Sequence, residues 1–280
     1  MTNYTGKVNG KYGIFNFCHF DEFIGLAMRE YGEYSDLELT TILKFINKGD
    51  IVFDIGANIG CFSVPLAKQV GSEGKVYAFE PQPFINKLLK KNIQENNLDN
   101  VKIIRGGLGF KKKILQLEDI DYSSVGNFGG VSLHTRHNTG YVKKKTSKKH
   151  KIKLATLNDF MDIPRCDFLK IDVELMELDV LKGGKEFIKK LRPIMWIENH
   201  REYPNCINKY LLKIGYKPFW APTMLYNPNN YFVNATNYYF NVATHNILAI
   251  PQESTFPFSN NELFNQVIDE YTEPMNVLTR

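Results

Sequence analysis

The passage that most constrains this chain is residues 51–60. Ile51–Ile55 is an apolar run interrupted by one acid, Asp54, and it ends in a turn, Gly56-Ala-Asn58-Ile-Gly60, that opens a helical stretch reaching about Gln69. A short apolar run without alternation reads as a strand buried on both faces, which a parallel sheet covered by helices provides. The same rhythm recurs downstream. Strands are predicted at Lys75–Phe79, Val101–Ile104, residues 167–171, 194–197, Tyr216–Trp220 and 246–250. Between them run helical stripes: Phe84, Ile85, Leu88, Leu89 and Ile93; then Val180, Leu181, Phe187 and Ile188; then Ile207, Tyr210, Leu211 and Ile214. Alternating strands and helices predict an α/β fold, a doubly wound, mostly parallel seven-stranded sheet of Rossmann-like type with helices on both faces.

The rhythm breaks over residues 106–155, which are rich in Gly, Ser, Asn and Lys. This stretch reads as a basic insertion or lid. Its segment 143–153, KKKTSKKHKIK, holds seven lysines and no acid, more than the whole chain's net charge of +5, so the remainder is mildly acidic. A solvated loop is one reading of it; a loop contacting phosphate, nucleic acid or an acidic sugar is the other. Residues 227–241, crowded with Asn, Tyr and Phe, read as a loop, and the Asn234 sequon within it as chance. Ser259 and Glu262 form a capping-box pattern ahead of Leu263, Phe264, Val267, Ile268 and Tyr271, which predicts a C-terminal helix packed on the core or in a homodimer contact. The expected organisation of 1–280 is one domain: an N-terminal cap (1–48), a cofactor-binding half (49–105), the insertion (106–155), the second half of the sheet (156–252) and a helical tail (253–280). Cys18, Cys61, Cys166 and Cys206 form no CxxC pair, which argues against zinc and disulfides. No stretch approaches the roughly 20 apolar residues of a membrane span. No secretory signal is apparent, so a cytoplasmic location is expected, that of a host if the gene is viral.

Glycines at Gly56 and Gly60 let the backbone turn sharply and approach a ligand. A helix N-terminus beyond them suits a carboxylate or phosphate. Glu80 closes the second strand, placed to accept hydrogen bonds from ribose hydroxyls. Dinucleotide binding would need GxGxxG, but Asn58 occupies the place of the middle glycine. An acid just before the turn suits instead a cofactor with both an ammonium and a carboxylate, with Asp54 facing the ammonium side. S-adenosylmethionine has both groups and a ribose.

The segments VFDIGANIG (52–60), YAFEPQP (77–83), KLATLNDF (153–160), DFLKIDVELMELDVLKGG (167–184), RPIMWIENH (192–200) and HNILAIP (245–251) resemble, in the same order, the FkbM-type methyltransferases. The resemblance covers roughly residues 31–251. It implies a class I methyltransferase fold whose last strand is antiparallel, and O-methyl transfer, often to a sugar hydroxyl of a glycan, polyketide or related metabolite. With the cofactor motif it nominates Asp54, Gly56, Asn58, Gly60, Glu80, Pro81 and Gly107 as cofactor-binding. Two positions depart from the family pattern. Leu175 replaces the glycine after IDVE, which should alter the backbone beside the active site, and Asn158 replaces an aspartate and should cap the following helix just as well.

Methyl transfer from a sulfonium needs alignment and somewhere for the acceptor's proton to go. A sugar hydroxyl is a poor nucleophile, so a base or a metal is expected. Ligands of such sheets sit at the carboxyl ends of strands, where this chain has Asp172, Glu174, Glu198 and His200. His200 or Asp172 is the expected base and Glu198 the orienting group; Asp172, Glu198 and Asn199 would alternatively suit Mg²⁺. His134, His137 and His245 are secondary candidates. Tyr34 and Glu38 would cover the cofactor, and Tyr231, Phe232, Tyr238 and Tyr239 would stack on sugars or pack as a lid. The leading function is a small-molecule or glycan O-methyltransferase. The alternatives are a nucleic-acid (RNA) methyltransferase using the lysine segment as a phosphate clamp, and a non-catalytic interaction module. The absence of a (D/N)PPY-like segment after the fourth strand argues against amino-directed nucleic-acid methylation.

Overall fold

The computed structural model describes residues 4–133, 141–199, 204–255, 264–269 and 272. The chain opens with an antiparallel hairpin, β1 (Thr5–Gly10) and β2 (Gly13–Cys18), followed by α1 (Ile24–Glu30) and α2 (Asp36–Leu43). The alternating core then begins: β3 (Ile51–Ile55), α3 (Ser63–Val70), β4 (Lys75–Phe79), α4 (Pro83–Glu95) and β5 (Val101–Ile104). The insertion holds β6 (Gly107–Leu108), β7 (Lys113–Ile120) and β8 (Lys144–Ala155). The core resumes with β9 (Phe168–Ile171), α5 (Glu177–Gly183), α6 (Lys185–Leu191), β10 (Ile194–Glu198), α7 (Pro204–Lys213) and β11 (Tyr216–Trp220). A small pair, β12 (Thr223–Met224) and β13 (Ala243–Thr244), precedes β14 (Asn246–Pro251) and β15 (Asn265–Gln266).

The main sheet has the order β15-β11-β14-β10-β9-β3-β4-β5. Its strands from β5 to β10 run parallel, and β14 is antiparallel to both β10 and β11. The expected doubly wound sheet is therefore present, with one short strand more than the seven expected. Side chains alternate between two cores. Val52, Val76, Phe168 and Trp196 face one, with α3 and α4; Phe53, Phe79, Leu169 and Met195 face the other, with α5 and α6. Phe53 stacks on Tyr77 at 4.8 Å and also meets Phe79, Phe160 and Phe187. Cutting such a ring back to Ala costs roughly 3–5 kcal/mol.

Four expectations need correction. The lysine segment is a strand, not a loop: β8 pairs antiparallel with β7, burying Ile152 and Leu154 while its lysines face out. The single helix expected after β9 is two, broken at Gly183 and Gly184. A Cβ at these positions would stand 2.1 Å from the Gly109 carbonyl and 2.6 Å from Leu157, so the helix can pass there only on glycine. The helical tail is extended where it is described: β15 adds to the edge of β11 through Phe219 and Trp220, with Phe264 and Val267 buried. The capping-box residues Ser259 and Glu262 lie outside the described residues. Asn158 does not cap its own turn, a role taken by the reciprocal pair Thr156 and Asp159; its Oδ1 accepts the Phe187 amide, 29 residues away.

Candidate active site

A cavity opens at the carboxyl ends of β3, β4, β9 and β10, with about 1060 Å³ of empty space including the solvent at its mouth. Its first wall is mostly backbone. Gly56 has φ +94°, and a Cβ there would lie 1.7 Å from the Asp172 carbonyl oxygen, so the turn after β3 passes in contact with the end of β9. Asn58 takes a left-handed φ of +49°. Its amide donates to Glu80 Oε2 at 3.0 Å, and the Gln82 amide donates to Glu80 Oε1 at 2.7 Å. Burial pushes the Glu80 carboxyl up to about 8, against the pull of those two amides. The insertion closes this side: Gln82 Nε2 donates to the Phe128 carbonyl, Tyr122 donates to Gln82 Oε1, and Gly129, Val131 and Leu133 line the cavity.

The second wall is built of charge. Lys170 is buried in the middle of β9, in register with Asp54 of β3 and Trp196 of β10. Its ammonium donates to Asp172 Oδ2 at 2.8 Å and lies 4.6 Å from the centre of the Phe62 ring. Burial works against that charge, but Asp172, Asp54 and Glu38 outweigh it and hold the lysine protonated. Glu38 accepts from Trp196 Nε1 at 2.9 Å and from the Ser35 hydroxyl at 2.8 Å. Burial, then the negative charge of Asp172, raises the Glu198 carboxyl well above the ordinary carboxylate range. Oxygens of Asp172, Glu174 and Glu198 lie within 4.8 Å of one another. Beyond them, Glu174 and Leu175 both have left-handed φ, +53° and +72°. The Ser132 hydroxyl holds the Glu174 carbonyl at 2.6 Å. Glu177, the first residue of the next helix, reaches back to accept the Val173 amide at 3.0 Å.

A second cleft adjoins the cavity and shares Ile24, Tyr34, Gly129, Glu174, Glu198 and Thr244 with it. Phe23, Leu175, Leu225 and Val242 give it apolar surface; Asn127 and His245 give it polar surface.

Of the expected cofactor residues, Gly56, Asn58, Glu80, Pro81 and Gly107 line the cavity, and so do Tyr34 and Glu38. Asp54 and Gly60 stand behind the wall. Asp54 is fully buried and accepts from the Ser63 hydroxyl at 2.6 Å, and a Cβ on Gly60 would meet Leu89. The amides of residues 56–60 all donate within the protein, to Phe79, Glu80, Asn58 and Ala57. Of the expected catalytic group, Asp172, Glu174 and Glu198 come together, whereas His200 lies outside the described residues, as do His134 and His137. Asn199 is fully buried and does not line the cavity, its amide nitrogen donating to Asn208, and Glu174 stands with Asp172 and Glu198. The aromatic loop misses the cleft: Tyr239 is buried against Phe23, and Tyr231, Phe232 and Tyr238 are exposed elsewhere. Sequence reasoning overlooked Lys170 and Gln82. The only signal for Lys170 was a lysine inside an otherwise apolar strand.

The family model described as the methyltransferase FkbM domain matches residues 54–218. Methyltransferase 1 of Beauveria bassiana is 26% identical over 147 residues, 47% of this chain and 57% of that protein. Methyltransferase sdnD of Sordaria araneosa is 28% identical over 161 residues, 48% of this chain and 60% of that protein. The chain thus matches less than two thirds of the length of these relatives. Among solved structures, the methyltransferase FkbM from Methylobacillus flagellatus KT aligns with a TM-score of 0.45 at 16% identity, over 73% of this chain and 44% of that one. The precorrin-6y C5,15-methyltransferase from Geobacter metallireducens GS-15 aligns with a TM-score of 0.45 at 12% identity, over 76% of this chain and 87% of that one.

Proposed function

The chain belongs to the FkbM methyltransferase family, and from that premise we propose that it is an S-adenosylmethionine-dependent O-methyltransferase acting on a hydroxyl of a sugar, glycan or related metabolite. The observation that carries the reading is one cavity with two unlike walls, a backbone cradle ending in Glu80 and a carboxylate cluster around Lys170. Each Glu80 oxygen accepts one amide and keeps a lone pair for a ribose hydroxyl. Gly56, Asn58, Pro81 and Gly107 would wall the rest of the cofactor. When bound, adenosylmethionine supplies an electrophilic methyl group.

The acceptor would enter by the adjoining cleft, whose shared wall carries Glu174 and Glu198. Asp172, held by the Lys170 ammonium, would take the hydroxyl proton, a contribution of about 10²–10⁴-fold for a positioned base. Glu198, with its carboxyl pushed toward the protonated form, would donate a hydrogen bond to orient the acceptor. A hard cation is the alternative use of the same carboxylates, since three oxygens this close suit Mg²⁺. Dialysis against EDTA separates the two: turnover that survives belongs to proton transfer, and turnover that only Mg²⁺ restores belongs to a metal.

The test of the whole reading is a thermal-shift titration with adenosylmethionine and, separately, with NAD, followed by methyl transfer to a panel of sugars and glycans. A ligand at about 100 times its dissociation constant stabilises the fold by roughly 2.7 kcal/mol. No shift with adenosylmethionine would sink the reading and favour a non-catalytic module. A shift with NAD alone would point to redox chemistry.

A further inference from the structure

We infer that the outward face of the β7–β8 hairpin is a binding surface for single-stranded nucleic acid. The binding stands by itself; that a ribose hydroxyl is the group carried to the cavity rests on the methyl-transfer reading above.

Charge is segregated along the chain. Residues 106–155 carry eleven Lys and Arg against three acids, so the rest of the chain is net negative. The pairing of β7 with β8 then orders the lysines. Ile152 and Leu154 turn inward, while Lys149, Lys151 and Lys153 stand on the opposite face beside Glu118, Gln116 and Ile114. Alternate residues of a strand are spaced about 6.6–6.8 Å, close to the separation of successive phosphates on a single strand. Lys149 shares Glu118 with Lys144, and among the described residues Lys151 and Lys153 have no carboxylate partner. A fold does not need unbalanced lysines in a row, whereas a polyanion does.

Two features favour a nucleic acid over other polyanions. An exposed aromatic stands next to a lysine triplet at each end of the hairpin: Phe110, 58% exposed, before residues 111–113, and Tyr141, 57% exposed, just before residues 143–145. Exposed rings interleaved with cations are what sequence-tolerant base stacking uses, and a lipid headgroup offers no flat face to stack. The row is also linear and leads to the cavity. Leu154, behind Lys153, packs where a Cβ on Gly107 would be 2.7 Å away, and Gly107 lines the cavity.

The experiment is fluorescence anisotropy of a labelled 12-nucleotide RNA with the full chain, across a series of salt concentrations. The logarithm of the binding constant should fall linearly with the logarithm of salt. The triple variant Lys149→Gln, Lys151→Gln, Lys153→Gln should reduce the slope by about 2, at about 0.7 per phosphate contact on a single strand. Phe110→Ala should weaken binding roughly five- to hundredfold, as for one stacked base. Each variant is also titrated with adenosylmethionine by thermal shift. If the cofactor shift is kept and RNA binding is absent, this inference alone fails. An unchanged salt slope in the triple variant overturns it. So does equal competition by a polyuronate together with no effect of Phe110→Ala, and so does binding to phosphatidylserine vesicles without binding to RNA.

Discussion

On the β3–β4 side of the cavity a carboxylate is held by main-chain amides; on the β9–β10 side, carboxylates are held by one side-chain cation. Glu80 is held by the Asn58 and Gln82 amides, one on each oxygen, and burial still raises its carboxyl to about 8. Asp172 takes the Lys170 ammonium, which Asp54 and Glu38 also feel. The first arrangement is a fixed shape and suits a ligand that never varies. The second is a balance of charges that a passing proton can alter, and it suits the step where bonds change. Gly56 joins the two, its backbone touching that of Asp172.

Removing the cation should break the second wall first. Lys170→Met leaves buried carboxylates without a partner, at a cost of about 3–5 kcal/mol, which lowers Tm by on the order of 10 °C. Calorimetry checks this, and a loss below about 1 kcal/mol would mean that charge balance does not hold this wall together. Asp172→Asn should lower turnover by roughly 10²–10⁴-fold while cofactor affinity stays within a factor of a few. If affinity falls and turnover per bound cofactor does not, the roles of the walls are reversed. Glu80→Ala should raise the adenosylmethionine dissociation constant about tenfold or more at pH 9, where the carboxyl is ionised, since hydrogen bonds to a charged group contribute about 1.5–3 kcal/mol each.

Glu80 also sets a pH dependence. Its carboxyl titrates near 8 when folded, against an ordinary value of 4.5, so the folded state holds a proton that the unfolded state releases. Its contribution to stability is therefore present at low pH and lost as pH rises from the ordinary carboxylate range toward 8. Ribose hydroxyls prefer the ionised carboxylate, so cofactor affinity should rise over the same interval. Glu80→Gln should flatten both trends in calorimetry run from pH 5 to pH 9. The smallest effect is expected at Leu175. Its φ of +72° is strained for a branched side chain, and Leu175→Gly should relieve about 1–2 kcal/mol. Greater freedom of the unfolded chain takes back about 0.5–1 kcal/mol. Urea unfolding should show the net gain, and a loss would mean that Leu175 contributes more by packing in the adjoining cleft than its strain costs.

The sheet was legible because β3, β4, β5, β9, β10, β11 and β14 are apolar runs bounded by turns, and the sequence reading matches their spans to within a residue or two. The first wall was legible for the same reason: Gly56 and Glu80 belong to the turns that follow two of those strands. Lys170 was not, because its meaning lies in register. It faces Asp54 only once β9 pairs with β3, and a lysine at an inward position looks the same in sequence as one at a strand edge. The hairpin is hidden in the sequence because outward lysines mask the two inward residues, Ile152 and Leu154, that mark a strand. At the tail, Phe264 and Val267 have helical spacing, but the open edge of β11 supplies backbone partners that favour extension there. In the loop after β12, the asparagines are turn-formers: Asn227, Asn230, Asn234 and Asn237 each accept a nearby backbone amide.

Trp196 gives the molecule an optical reporter. The chain has two tryptophans. Trp220 is buried on the opposite face of the sheet and donates to the Thr272 carbonyl. Trp196 donates to Glu38, beside Lys170, in the layer just behind the cavity. An indole's emission colour follows the field across its ring, and here that field comes from the charges a ligand would disturb. In a Trp220→Phe background, a single emitter would then signal cofactor loading and proton movement without any label.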